Sequence, residues 1–138
     1  MRRRVISAYS GALGAAYIAL CLLTLANYLG AGIAPSFAPA DAGVSLASFT
    51  VALVLLGGAW YGRREGGYKA LSCYLIGSLL AVAVTAVQLL SIATSALGAY
   101  VAGEEIGGFI ELVRLDLLLG LLSIPLLRYS VKRAKLLA

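Results

Sequence analysis

The sequence predicts an all-α fold: a polytopic membrane protein with four transmembrane helices in an antiparallel bundle and both termini cytoplasmic. Three observations predict it. Charged residues make up 12% of the 138-residue chain and apolar residues 62%. That is about half the charge that keeps the surface of a soluble domain wet. The apolar residues also gather into four long segments, parted by short breaks rich in glycine, proline and charge. Basic residues, finally, occupy alternate breaks, the pattern of loops retained in the cytoplasm.

The segments follow in order and form one domain over residues 1–138. The first covers residues 5–29. It follows Arg2, Arg3 and Arg4, as the apolar core of a signal peptide would, but is about twice the usual length and is read as a spanning helix. Pro35 and Pro39 then break the chain, because proline cannot donate to a helix ladder, and the glycines around them supply turn geometry. The second segment covers residues 44–61 and is slightly short for a span of about 20 residues. A basic, glycine-rich turn through Arg63, Arg64 and Lys69 leads to the third segment, 70–100, which is long enough to tilt or protrude. An acidic turn with Glu104 and Glu105 precedes the fourth, 107–130.

The net charge of +5 would suit a polyanion, but the placement of the cations argues against nucleic acid. Apart from Arg114, every basic residue lies at the amino terminus, in the second loop or at the carboxyl-terminal end. They flank apolar segments and form no basic stripe with interleaved aromatics. The first and third loops carry Asp41, Glu104 and Glu105 instead. The expected partner is the lipid bilayer, at the plasma membrane, with no nucleic acid.

Helices associate in lipid through close backbone approach, so small residues mark candidate contact faces. The first segment offers Ala8, Ala12 and Ala16, with Gly11, Ala15 and Ala19 beside them. The third offers Cys73, Gly77, Ala81 and Thr85 at every fourth residue. The fourth is bulkier, with Gly120 and Ser123 as small interruptions, and Pro125 removes the hydrogen bond to the Leu121 carbonyl.

The fourth segment also carries Glu111, Arg114 and Asp116. A charge at a helix centre in lipid costs roughly 2.5–3.5 kcal/mol, so these residues are functional candidates until partners are found. On a continuous helix, Glu111 and Arg114 stand about 60° apart and can pair, whereas Asp116 lies roughly 160° from Arg114. The pair then meets the outer headgroups or a neighbouring subunit. Asp116 shares its face with Gly120 and Ser123 and points into the bundle. Counting about 1.5 Å per residue from Arg128 places Asp116 near mid-bilayer, level with Tyr17 and Thr50, with Thr85 somewhat higher and Gln88 nearer Glu111. A hydrogen bond from Tyr17 or Thr50 to Asp116 is expected. Without a cation beside it, burial disfavours its charged form.

Other chemistry is set aside. The absence of histidine excludes a His-ligated haem, a His-containing zinc site and a Ser-His-Asp triad within this chain. Cys21 and Cys73 lie at different depths and should not bridge. No cofactor, metal or enzymatic activity is expected. Two readings remain: a non-catalytic structural or accessory subunit, in a homo-oligomer or a larger membrane complex, or an oligomeric channel or carrier. In the second, Asp116 serves protons, ions or a small polar solute, with Tyr17, Thr50, Thr85 and Gln88 along the path.

Overall fold

The structure, a computed structural model, describes residues 2–33, 38–64, 67–103 and 114–137. Four helices account for nearly all of them: α1 (Arg2–Tyr28), α2 (Ala42–Arg64), α3 (Tyr68–Ala102) and α4 (Leu115–Leu137). No strand occurs among the described residues. The all-α, four-helix expectation is met. By length and composition, α1, α2 and α3 are each able to cross a membrane. The fourth helix carries Asp116 at its start and Arg128, Lys132, Arg133 and Lys135 in its second half, which leaves only 117–127 free of charge.

Local chemistry sets the helix ends. The Asp41 carboxylate accepts the Gly43 amide at 2.7 Å, and its carbonyl accepts the Ser45 amide at 3.1 Å, which makes Asp41 the N-cap of α2. Gly103 ends α3 at φ 71°, in the left-handed region, with its amide returned to the Tyr100 carbonyl. Only glycine enters that region without a steric penalty. The fourth helix departs from the predicted span of 107–130. It starts at Leu115, because the Arg114 carbonyl accepts the amides of Leu117 and Leu118 while Arg114 itself is not helical. Residues 107–113 lie outside the described residues.

Neighbouring helices run antiparallel, as their contacts show. Between α1 and α2, the Ser7 hydroxyl donates to the Ala59 carbonyl (2.7 Å), Ser10 to Leu55 (2.8 Å), and Ser45 of α2 back to Cys21 (3.0 Å). Side chains of α2 and α3 meet where Gly58 backs onto Tyr74 and Gly77 onto Leu55. The last pair, α3 and α4, meets at Thr85 and Gly120. Tyr9 of α1 reaches α4, donating its hydroxyl to the Leu122 carbonyl at 2.5 Å, beside the turn that Pro125 weakens. The amino terminus of α1 and the carboxyl terminus of α4 therefore share one end of the bundle.

Which faces meet differs from the expectation for α1. Ala8, Ala12, Ala15 and Ala19 are exposed, and the buried stripe is Ser7, Ser10, Leu13, Gly14, Tyr17, Leu20, Cys21, Thr24 and Asn27. The reason is energetic. In hydrocarbon an unsatisfied hydroxyl costs more than an exposed methyl, so the helix turns its serines onto carbonyls of α2 and leaves the alanines to lipid. Interhelical hydrogen bonds of this kind contribute roughly 0.6–2 kcal/mol each. On α3 the small-residue face is the packed one: Gly77, Ala81 and Thr85 are buried.

The tightest crossing joins α3 to α4. A Cβ on Gly120 would collide with the Oγ1, Cβ and Cγ2 atoms of Thr85. Gly120→Ala is therefore expected to destabilise the protein by roughly 1–3 kcal/mol, the usual cost of overpacking, as measured by unfolding in detergent. Adding Thr85→Ala, which removes two of the three colliding atoms, should recover part of that loss.

Candidate functional site

The inner face of α4 is built from Asp116, Gly120, Ser123, Leu126 and Ser130, all buried, at helical spacings of three and four. Tyr17 comes from α1 to meet this face at 2% exposure. Its hydroxyl lies near the Ser123 side chain and the Asp116 carboxylate. Thr85 of α3 closes the other side against Gly120, its hydroxyl bound to the Ala81 carbonyl at 2.9 Å. Tyr17 of α1 and Thr85 of α3 thus flank the two turns of α4 that run from Asp116 to Ser123, with Thr85 level with Gly120 and not higher than Asp116 as expected.

Asp116, 3% exposed, is not without a cation. Arg114 clasps it with two hydrogen bonds, Nε to Oδ1 at 3.3 Å and Nη2 to Oδ2 at 3.1 Å. The expectation that these residues face opposite ways is corrected. Helical-wheel geometry assumed an unbroken helix through both, but α4 begins between them, and Arg114 is its N-cap residue, free to fold over the first turn. Asp116 stands in that first turn, where the positive end of the helix dipole favours an anion. The Leu117 amide also donates to Oδ1 at 3.1 Å. A fork-to-fork pair of this type is the strong form of the arginine–carboxylate bond. Glu111, the expected partner of Arg114, lies outside the described residues.

Thr50 does not join the site. It is exposed, and its hydroxyl turns back to the Leu46 carbonyl of its own helix at 3.0 Å. Counting residues from the membrane boundary gave its height correctly but not its azimuth, and the packed face of α2 runs through Val44, Ser48, Val51 and Leu55 instead. Gln88 is half-buried one turn beyond Thr85. The register set by Thr85 and Gly120 puts it about level with Asp116, and Glu111, which it was expected to approach, lies outside the described residues.

Several functional-looking contacts were not anticipated. The serine hydroxyls of α1 carry its contact with α2, and the spacing of three and four through Ser7, Ser10, Gly14 and Tyr17 was the available signal. The Tyr9 hydroxyl on Leu122 has no signature in the sequence. Cys21 and Cys73 are free thiols, as their depths implied. Among the described residues no three Cys, Asp or Glu side chains converge as a metal site would require.

Three long apolar helices, a fourth that packs along them, and a polar interior closed by side-chain-to-backbone bonds define a small all-α integral membrane protein. The comparison with known families agrees. A family model matches residues 1–134, and the chain belongs to that family, the MJ0565 integral membrane domain. No curated protein and no solved structure matches it.

The ion pair gives an asymmetric prediction. Arg114→Gln leaves a carboxylate buried without its cation and is expected to cost about 3 kcal/mol, the low end for breaking a buried pair, since Arg114 is partly exposed. Asp116→Asn should cost less, because the arginine can extend away from the core. The double variant Arg114→Gln/Asp116→Asn should be more stable than Arg114→Gln alone. Equilibrium unfolding in mixed micelles measures all three.

Proposed function

We propose that the chain is a non-catalytic structural or accessory subunit of the membrane, working by packing against copies of itself or against larger membrane proteins. The Arg114–Asp116 pair carries this reading. The residue best suited to move a proton or bind a solute is already neutralised by a cation of its own chain. The nearest hydroxyls of the interior point the same way: Thr85 and Ser123 each donate to a carbonyl of their own helix, so they fill the interior instead of lining a wet path. The long third helix supports the reading from the outside. Its buried residues end at Thr85, and beyond it Val87, Leu89, Leu90, Leu97, Tyr100 and Val101 are all exposed. At about 1.5 Å per residue its 35 residues reach well past a hydrocarbon core of about 30 Å.

The orientation that goes with this reading has both termini and the α2–α3 turn in the cytoplasm, since the basic residues gather at that end. The membrane is the plasma membrane. A second reading, an oligomeric channel or carrier, draws on one observation: Tyr17 and Thr85 flank two turns of α4 that carry Asp116 and Ser123 on one buried face. The two separate cleanly. The mass of the detergent-solubilised assembly should exceed that of one chain, and liposomes holding the purified protein should pass no protons or ions above background. A flux that Asp116→Asn abolishes would overturn the subunit reading in favour of the carrier.

A further inference from the structure

The basic end of the bundle holds a feature that helix packing does not use. Arg64 ends α2, and an arginine in a last turn ordinarily extends outward to water or to the terminal carbonyls. Here it folds back along the helix. Its guanidinium lies over the Trp60 ring, 4.3 Å from the ring centre. Both side chains are exposed, Trp60 at 57%. They form the head of a stripe that continues down the lipid-facing side of α2 through Leu53 and Leu46, at seven-residue intervals, with Phe49 beside it, all exposed. Tyrosine and tryptophan rings settle at the level where headgroups meet acyl chains. The guanidinium, over the indole ring, is therefore held at that level.

Nothing of the chain among the described residues neutralises it. The carboxylates there are Asp41, at the opposite end of α2, and Asp116, which Arg114 holds. Around Arg64 the same end carries Arg63, Lys69, Arg128, Lys132, Arg133 and Lys135. Lys69 is also set against an aromatic ring, 6.0 Å from the centre of Tyr61, and Arg133 donates to the Tyr129 hydroxyl at 2.7 Å. An arginine at the acyl–headgroup boundary, over an apolar stripe that suits an acyl chain, matches one class of ligand.

We infer that Trp60 and Arg64 form a binding site for an anionic phospholipid, with the guanidinium on the headgroup phosphate and an acyl chain along Leu53 and Leu46. Arginine is suited to this task because its planar fork bonds two phosphate oxygens while its face stacks on the ring. A lysine keeps the charge but loses both geometries. The neighbouring cations raise the local concentration of anionic lipid and give the site its preference over zwitterionic headgroups. A nucleic acid is disfavoured as the occupant, because the stripe leads into the apolar layer and not along a solvated face.

The test is native mass spectrometry of the full-length protein, carried out of detergent with equal amounts of phosphatidylglycerol and phosphatidylcholine of the same acyl chains. Phosphatidylglycerol should be retained in preference. Arg64→Gln should lower its retention by roughly fivefold, the worth of one basic residue at an anionic surface. Trp60→Leu and the charge-keeping Arg64→Lys should lower it as well, while Arg133→Gln leaves most of it in place. Circular dichroism checks that each variant keeps its helices, and Arg64→Lys decides the matter if Arg64→Gln does not fold. Equal retention of the two lipids, or variants indistinguishable from the parent, would overturn the inference. So would displacement of the lipid by inorganic phosphate or a short oligonucleotide, or a Trp60→Leu variant that changes only the mass of the protein assembly.

Discussion

The structure depends on one constraint: in hydrocarbon, a polar group must find its partner within the protein. The chain meets it chiefly with serine and threonine. Ser7 and Ser10 of α1 give their hydroxyls to carbonyls of α2, and Ser45 of α2 returns one to Cys21. These short bonds require the backbones to be close, and Gly14 against Leu56 provides that closeness. Polar satisfaction and tight packing are therefore a single requirement, and it selects the face that α1 turns inward. At the carboxyl-terminal end of α1 the requirement is only partly met. Asn27 donates to the Ala38 carbonyl at 2.9 Å, but its Oδ1 has no partner among the described residues.

The same constraint explains where α4 begins. A carboxylate in the middle of a continuous apolar helix has no local partner, whereas one in a first turn has the helix amides and the residue before the helix. Placing the start at Leu115 gives Asp116 the Leu117 amide and the Arg114 fork together. Tyr17 meets this site from α1, and the contact between Thr85 and Gly120 bounds it from α3. A buried charge pair of this kind does not by itself add stability over an apolar packing of the same shape. It fixes the start of a helix and the register of three helices around it.

The two ends of the bundle differ in character. One end collects basic side chains, with rings beneath two of them, and is chemically matched to anionic headgroups. Toward the other end α3 runs on past the level at which α4 begins. Its surface there is mainly apolar, with Ser91 among the exposed residues and the hydroxyls of Thr94 and Ser95 turned back on their own helix. Between the two ends the polar groups of the interior are met largely from within, Asn27 Oδ1 apart.

Much of this architecture was legible in the sequence. Hydropathy alone determines that the chain is helical and membrane-bound, because each long apolar run has one stable form in lipid. The bounds of α1, α2 and α3 follow from Pro35, Pro39, the glycines and the basic turn. The inward face of α4 follows from Asp116, Gly120 and Ser123 lying at helical spacing. What only the tertiary structure decided is which way residues at a given depth point. Thr50 has the right height and the wrong azimuth, and the alanines of α1 face lipid while its serines face α2. A count along the axis fixes height, but azimuth depends on which neighbour supplies an acceptor. The partner of Asp116 is the sharpest case. A helical wheel separates it from Arg114, and the helix start that brings the two together is set by the packed bundle, where a buried charge must be met.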